Sequence, residues 1–252
     1  MSPSSLTSQE TREFAREIKF VLAPITAARV REWARERLIP DPNAAGRCSD
    51  TYQVTSLYFD TPAFDVYHRR GQHRHSKFRV RRYDAGPVFV ERKLKVRGRL
   101  AKRRTLVQLD DVARFSGPAV VSNWPGRWFE QRVAARGLVP ICQIGYERTA
   151  RVLMTAAGPI RLTLDEAIRA LPTDKVRFHE PPATTTPVTD RVVLELKYRG
   201  ILPALFRELV EQFTLDEHPF SKYRAALPVL GLVEAVPVSV AGAGTHLSCQ
   251  TS

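Results

Sequence analysis

The sequence predicts an α+β fold built on an antiparallel sheet, and two patterns carry this prediction. At least seven segments alternate charged with apolar residues, and a period of two places the charges of a strand on one face. Apolar stripes with helical spacing lie between these segments, so helices can cover the apolar face of the sheet. The alternation fits an open sheet whose polar face meets water, and it also fits an antiparallel barrel whose lumen is lined by the charges.

The individual elements are assigned from this periodicity and from the residues that start and end helices and strands. Pro24 opens a helix that ends near Leu38, a second helix covers 128–136, and a third covers 203–213. The predicted strands are 14–22, 52–60, 77–83, 90–97, 105–109, 143–154, 160–165 and 191–199. We expect one domain from residue 12 to residue 232, with disordered tails at 1–11 and 236–252.

The most unusual stretch is 77–104, where 28 residues hold twelve Lys or Arg and two acids. The remaining 224 residues contribute only +3 to the net charge of +13. Lys77, Arg79 and Arg81 alternate with other residues, and a turn at 84–87 leads to a second alternating run, which predicts a hairpin with a cationic face. Like charges on one face repel unless an anion lies among them. Phosphate, and more than one, is therefore the candidate ligand.

Composition excludes several classes of protein. The chain is 43% hydrophobic and 26% charged, which is typical of globular proteins. It has no apolar run of about 18 residues and no signal peptide, which predicts a cytoplasmic protein without a transmembrane segment. Cys48, Cys142 and Cys249 form no CxxC pair, so we expect reduced thiols and no zinc site. The absence of a GxxxxGK[ST] motif excludes an ATPase of the P-loop type.

Eight short motifs occur in order over residues 13–228. They are EIK (17–19), TSLYFDT (55–61), KFRVRRY (77–83), VFVERKLK (88–95), YERT (146–149), IRLTLD (160–165), LELK (194–197) and FSKY (220–223). Together they resemble the VTC domain, the catalytic domain of polyphosphate polymerases, which belongs to the triphosphate tunnel metalloenzymes or CYTH superfamily. The resemblance implies an eight-stranded antiparallel β-barrel, the triphosphate tunnel, with helices packed on the outside.

The resemblance and the alternation together imply which side chains line the tunnel. Arg offers a planar fork for phosphate oxygens and Lys offers a point charge. The implied catalytic residues are Arg79, Arg81, Lys93, Arg148 and Arg161. The implied residues that bind phosphate or nucleotide are Lys19, Lys102, Tyr146, Lys197, Ser221 and Lys222. The arginines expected on the surface or at the tunnel entrance are Arg82, Arg92, Arg99, Arg103 and Arg104.

A divalent metal, Mn²⁺ or Mg²⁺, is also implied, because such ions are held by one or two carboxylates together with substrate phosphates. Glu195 is the first candidate ligand. Glu17 and Glu91 either complete the metal site or form salt bridges with neighbouring cations, and Asp165 is a weaker fourth candidate. Ala15 stands where hydrolytic members of the superfamily have the first Glu of an ExExK motif, which favours the polymerase branch.

The implied activity is the metal-dependent transfer of the γ-phosphate of ATP to inorganic polyphosphate, with no specific nucleic acid as a partner. If water accepts the phosphate, the same tunnel is that of a tripolyphosphatase or nucleoside triphosphatase. A non-catalytic module that binds polyphosphate or RNA is the third alternative. Tyr83 and Phe89 provide little stacking surface for RNA, and a retained Glu195 serves no purpose in a pure anion binder.

Overall fold

The computed structural model describes residues 9–11, 15–42, 50–96, 99–112, 124–180 and 184–234. In these ranges the chain forms one sheet and six helices, none of which has the length and hydropathy needed to span a bilayer. The helices are α1 (Pro24–Arg37), α2 (Asp65–His68), α3 (Leu109–Val112), α4 (Arg127–Ala134), α5 (Ala204–Gln212) and α6 (Lys222–Val229). The strands are β1 (Gln9–Thr11), β2 (Ala15–Leu22), β3 (Ile39–Pro40), β4 (Thr51–Asp60), β5 (Ser76–Tyr83), β6 (Val88–Val96), β7 (Arg99–Val107), β8 (Val139–Thr155), β9 (Gly158–Pro172), β10 (Thr186–Pro187) and β11 (Val192–Arg199).

The sheet is antiparallel throughout, as the alternation predicts. Its strand order is β1-β7-β6-β5-β4-β8-β9-β11-β2, and the short strands β3 and β10 pair with β8 and β9. Eight of the eleven strands have eight residues or more, and the other three have two or three. The prediction of an α+β fold with an antiparallel sheet is therefore confirmed.

The predicted closed barrel of eight strands is wrong, both in its closure and in its strand count. β1 and β2 lie at opposite ends of the strand order, and β2 pairs only with β11 in the described ranges. Side chains bridge the gap instead: Lys93 Nζ on β6 lies 3.1 Å from a carboxylate oxygen of Glu17 on β2. The sheet curls far enough for a side chain of β6, the third strand from one end of the order, to form an ion pair with β2 at the other end.

Helices cover the apolar face of the sheet in two clusters. One cluster joins α1 and α5 to β11, with Trp33, Phe206 and Leu194 buried. The other joins α4 and α6 to β4 and β5, and in it the rings of Phe59 and Phe129 meet edge to face with centroids 5.6 Å apart. Because the apolar residues of each long strand face the helices, its charged residues face the opposite side.

The basic stretch contains three strands rather than two. β7 begins at Arg99 and not at the predicted Thr105, because the adjacent cations near its middle interrupt the alternation from which strands were predicted. Its register with β6 places Arg104 opposite Glu91. Lys102, two residues earlier, lies on the same face as Arg104. Arg104, which was expected on the surface or at the tunnel entrance, therefore lies half-buried on the charged face beside Glu91.

The remaining predicted elements lie close to the observed ones. α1, α4 and α5 confirm the three predicted helices to within two residues at each end. The strands predicted at 143–154 and 160–165 form one long hairpin of β8 and β9. Residues 9–11, expected in a tail, pair with β7 as β1. The other residues of the predicted tails, 1–8 and 236–252, lie outside the described residues.

An ion-pair cluster around Asp50 fastens α1 to the sheet. The Asp50 side chain is only 4% exposed. Its carboxylate accepts hydrogen bonds from Arg35 Nε on α1 at 3.2 Å and from Arg151 Nε on β8 at 2.8 Å. Burial raises the pKa of Asp50, but the two guanidinium groups outweigh burial and bring the pKa to about 2.

We expect Asp50→Asn to lower the free energy of unfolding by about 1–2 kcal/mol at neutral pH, since the partial exposure of Arg35 screens the pair. The folded-state pKa of Asp50 lies below its unfolded value, so the stabilisation is complete above about pH 4. About half of it is lost by pH 3, because the carboxylate is then partly protonated in the unfolded chain. Urea unfolding at several pH values checks this, with the exposed Glu36→Gln as control; a difference that stays constant down to pH 3 would contradict it.

Candidate functional site

A cavity of about 110 Å³ lies on the charged face of the sheet. Eight of its fourteen lining residues are Lys or Arg, and one is a carboxylate, Glu195. The cations are Lys19, Lys77, Arg79, Arg81, Lys93, Arg148, Lys197 and Lys222. The other lining residues are Tyr58, Tyr146, Phe220, Ser221 and Tyr223. Long strands contribute most of these side chains, and the N-terminus of α6 contributes the rest.

Glu91 is the centre of the first ion-pair cluster, on the β5–β6–β7 side of the cavity. Its side chain is 1% exposed and accepts a hydrogen bond from Arg79 Nε at 2.7 Å, and Lys102 Nζ lies 2.8 Å from its other carboxylate oxygen. Arg104 Nε lies 3.4 Å away and Arg81 Nη1 lies 3.9 Å away. Burial raises the pKa of Glu91, but these four cations outweigh burial and hold the pKa well below its usual range. Glu91 is thus an ionised carboxylate surrounded by cations.

Asp165 on β9 is the centre of the second cluster. Its side chain is fully buried, and Arg148 donates two hydrogen bonds to its oxygens, at 2.6 and 2.7 Å. Lys222, the first residue of α6, donates to the same carboxylate. Burial raises the pKa of Asp165, but Arg148 and Lys222 lower it further than burial raises it. Both cations also lie over the ring of Tyr146, the Lys222 ammonium 4.5 Å from its centroid.

The third cluster joins β2 to β11. Lys19 Nζ lies 3.1 Å from Glu17 and 3.2 Å from Glu195. Lys197 pairs with Glu195, and Lys93 bridges from β6 to Glu17. Burial lowers the pKa of Lys19, but the two carboxylates raise it above the usual lysine range. The register places Lys19 directly opposite Glu195, so their proximity follows from the antiparallel pairing.

All four residues of the FSKY segment (220–223) line the cavity. The Ser221 hydroxyl accepts a hydrogen bond from Arg224 N and so caps the N-terminus of α6. Lys77 Nζ also donates to this hydroxyl, at 2.8 Å. Lys19 Nζ donates to the carbonyl oxygen of Phe220 at 3.4 Å. These contacts hold Lys222 against the sheet.

The cavity retains a positive charge after its ion pairs are counted. Glu195 and the three carboxylates that contact the lining cations, Glu17, Glu91 and Asp165, carry four negative charges against eight positive ones. Opposing cations lower the pKa of each of these four carboxyl groups. All four are therefore ionised at neutral pH, and the site attracts anions.

The structure brings most of the predicted site residues together. The predicted residues that line the cavity are Lys19, Arg79, Arg81, Lys93, Tyr146, Arg148, Glu195, Lys197, Ser221 and Lys222. Glu17, Glu91 and Lys102 lie behind them, in contact with lining or neighbouring charges. Arg161 lies further along β9 and pairs with Asp41 at 2.6 Å and with the Tyr52 hydroxyl at 3.0 Å.

The sequence reasoning missed one cation and three aromatic residues of the cavity. Lys77 alternates with Arg79 and Arg81, and this alternation was the available signal. Tyr58, Phe220 and Tyr223 lie within the TSLYFDT and FSKY motifs, but nothing in their spacing distinguishes them from core residues. The rings of Tyr58 and Tyr223 stack with centroids 5.3 Å apart.

A divalent metal fits only part of the predicted ligand set. Among the described residues, no three His, Cys, Asp or Glu side chains come close enough together to hold one ion. Glu91 lies within 3.9 Å of four cations, on the other side of the cavity from β2. Glu195 lines the cavity, and Glu17 shares Lys19 with it. These two carboxylates fit an ion that draws its remaining ligands from substrate phosphate oxygens.

Comparison with known families gives one match that covers most of the chain. The family model of the VTC domain matches residues 14–230. A comparison with curated proteins gives no significant match.

Several solved structures are similar to this chain. A Bacillus halodurans protein provisionally assigned as an adenylate cyclase has 13% identity and a TM-score of 0.51, over 84% of this chain and 95% of its own. A Hippeastrum protein provisionally assigned as an adenylyl cyclase, and described as having a dominant triphosphatase activity, has 15% identity and a TM-score of 0.49, over 85% and 93%. A Pyrococcus horikoshii protein has 12% identity and a TM-score of 0.43, over 86% and 98%. At such identities a likeness concerns the fold alone.

Proposed function

Because the chain belongs to the VTC domain family of the triphosphate tunnel superfamily, we propose that it is a polyphosphate polymerase that transfers the γ-phosphate of ATP to inorganic polyphosphate. The observation that carries the proposal is the cavity with eight lining cations and one lining carboxylate. A triphosphate and the end of a polyphosphate chain each carry about one negative charge per phosphate. Their oxygens can occupy such a cavity only if donors lie on several walls, as they do here.

The cations divide into two types of phosphate ligand. Arg79, Arg81 and Arg148 present planar guanidinium groups, which suit the non-bridging oxygens of the transferred phosphate. Lys19, Lys93, Lys197 and Lys222 present mobile ammonium groups that can follow a flexible polymer. Phosphoryl transfer has a loose transition state and depends mainly on alignment and on neutralisation of charge. The side chains of this cavity supply both.

The acceptor favoured by the carboxylates is a phosphate rather than water. Glu17, Glu91, Asp165 and Glu195 all have a pKa below the usual range, so each is a weak base. Activation of water in a hydrolase calls for a base whose pKa lies near the working pH. A terminal phosphate is already anionic and needs no base, so these four carboxylates suit a phosphate acceptor better than water; the lining group whose pKa is near neutral is Lys77.

A divalent ion would be held by Glu195, with Glu17 as a second ligand once Lys19 turns towards phosphate. When bound, such an ion neutralises charge that develops on the phosphate oxygens. The chain's own cations align the donor and acceptor phosphates, and the ion pairs of Glu91 and Asp165 hold Arg79 and Arg148 in place for this.

The test is to incubate the purified protein with ATP and Mn²⁺ or Mg²⁺, and to measure polyphosphate, ADP and orthophosphate. We expect wild type to form polyphosphate and ADP. Arg79→Met is expected to reduce the rate at least about 100-fold, as loss of a positioned donor in a dry site does. Arg16→Met, which removes an exposed Arg from β2, is expected to leave the rate unchanged.

The other outcomes separate the alternatives. Orthophosphate without polymer would make water the acceptor and the protein a triphosphatase. If neither product forms while polyphosphate still binds to Glu195→Gln, the protein is a binding module and the proposal fails.

A further inference from the structure

Lys77 differs from every other cation of the cavity. In the described part of the chain, the seven other lining cations each have a carboxylate within 3.9 Å. Lys77 forms no such pair, and the partner of its ammonium is the Ser221 hydroxyl at 2.8 Å. A hydroxyl can accept from a protonated lysine and can donate to a neutral one, so this contact is compatible with both forms.

The charged groups that face Lys77 are cations on nearly every side. They are Lys93 on β6, Lys19 on β2, Arg79 on its own strand, Arg69 after α2 and Lys222 on α6. Tyr58 on β4 and Lys197 and Glu195 on β11 line the same cavity. Asp60, at the end of β4, is engaged by the backbone N–H groups of Val66 and Tyr67 and by the Tyr223 hydroxyl.

Burial lowers the pKa of Lys77 to about 7, and Lys19, Lys93, Arg79 and Arg69 act in the same direction. A charged lysine that is buried among cations without a carboxylate is unstable relative to its neutral form. A phosphate oxygen in the cavity would supply the missing negative charge. The ammonium form would then be favoured well above neutral pH.

We propose that Lys77 and Ser221 form a proton-linked phosphate subsite, in which Lys77 is neutral in the ligand-free cavity at mildly alkaline pH and takes up one proton from solvent when a triphosphate or polyphosphate binds. The inference rests on the proposed function to the extent that its ligand is a chain of phosphates. It adds that part of the pH dependence of phosphate affinity comes from Lys77. Burial also lowers the pKa of Lys93 and of Lys102, the latter to about 8, and these two lysines are the same in wild type and in the Lys77 variants, so the comparison isolates Lys77.

The experiment is calorimetric titration of the full chain with inorganic tripolyphosphate, without metal, in two buffers of different ionisation enthalpy. Wild type is compared with Lys77→Arg, whose guanidinium stays protonated. The ligand's own proton exchange is common to both proteins and cancels in the difference. At pH 8 we expect wild type to take up about one proton more than Lys77→Arg. Above pH 7, the wild-type Kd relative to that of Lys77→Arg should rise about tenfold per pH unit.

Lys77→Met keeps the inference testable if Lys77→Arg does not fold. A methionine cannot be protonated, so the loss of affinity relative to wild type should be large at pH 6 and should shrink about tenfold per pH unit above pH 7. Equal proton uptake by wild type and Lys77→Arg, or a Lys77→Met defect that does not change with pH, would overturn the inference while the proposed function stands. Failure of all three folded proteins to bind tripolyphosphate would overturn both.

Discussion

Replacing Glu91 by Gln is expected to lower the free energy of unfolding by about 3 kcal/mol, in the range measured when one partner of a buried ion pair is removed. The substitution leaves Arg79, Arg81, Lys102 and Arg104 without the carboxylate that they share. Glu147→Gln is the matched control, because Glu147 lies on β8 and only its contact to Gln53 is lost. Urea unfolding of the three proteins gives the comparison.

Inorganic tripolyphosphate should reduce this difference, because phosphate oxygens replace the lost carboxylate among the cations. The same titration separates the two roles predicted for Glu91. If Glu91 held a metal ion instead of balancing charge, Glu91→Gln would unfold like wild type in the absence of metal, and only the stabilisation by Mn²⁺ would be lost. If the substitution lowers the free energy of unfolding in the absence of metal, and tripolyphosphate restores it, the role of Glu91 is to balance the charge of its neighbouring cations.

The second large effect is expected for Arg148→Lys. This substitution keeps the positive charge but removes the planar guanidinium group, which can donate two parallel hydrogen bonds. Arg148 donates two hydrogen bonds to Asp165, at 2.6 and 2.7 Å, and its side chain is 7% exposed. A lysine ammonium at this position cannot span both carboxylate oxygens and also face a phosphate. We expect the rate of polyphosphate synthesis to fall about 100-fold or more.

Arg169→Lys is the matched control, because Arg169 lies exposed on β9 and, among the described residues, its guanidinium donates its hydrogen bonds to Thr185. Its rate should equal that of wild type. The unfolding free energy of both variants must be measured beside the rates, since a lost ion pair can also destabilise the fold. An Arg148→Lys enzyme that keeps its stability and works within a few-fold of wild type would show that charge alone is needed at this position.

The position of a strand's residues could be predicted where charged and apolar residues alternate along it without interruption. Lys19, Arg79, Arg81, Glu195 and Lys197 were placed on the charged face from period-two alternation, and the structure places all five in the cavity lining. Arg104 was assigned to the surface or the tunnel entrance because it does not fit the predicted alternation. The pairing of β7 with β6 decides its position, and pairing register is a property of two strands that one strand's sequence does not contain.

The sequence predicted which residues form the site better than it predicted how their charges are paired. Glu91 was a candidate metal ligand from its motif, and four contacts from two strands, β5 and β7, account for its ionisation. These contacts depend on the register that places Arg79 and Arg104 on either side of Glu91. Lys77 was not predicted as a site residue although it alternates with Arg79, and in the described residues it differs from Arg79 by having no carboxylate partner.

The seam between β2 and β6 has a consequence for what can fit inside the sheet. In a closed barrel the bore is fixed by strand number and shear, because every strand is hydrogen-bonded to two neighbours. Here β2 and β6 are joined by Lys93 and Glu17, whose side chains meet at 3.1 Å, and the described residues show no backbone pairing between these two strands. Separating the two strands would therefore cost side-chain ion pairs and none of the backbone pairing that the described residues form. We expect the distance between β2 and β6, and with it the width of the cavity, to depend on what the cavity holds.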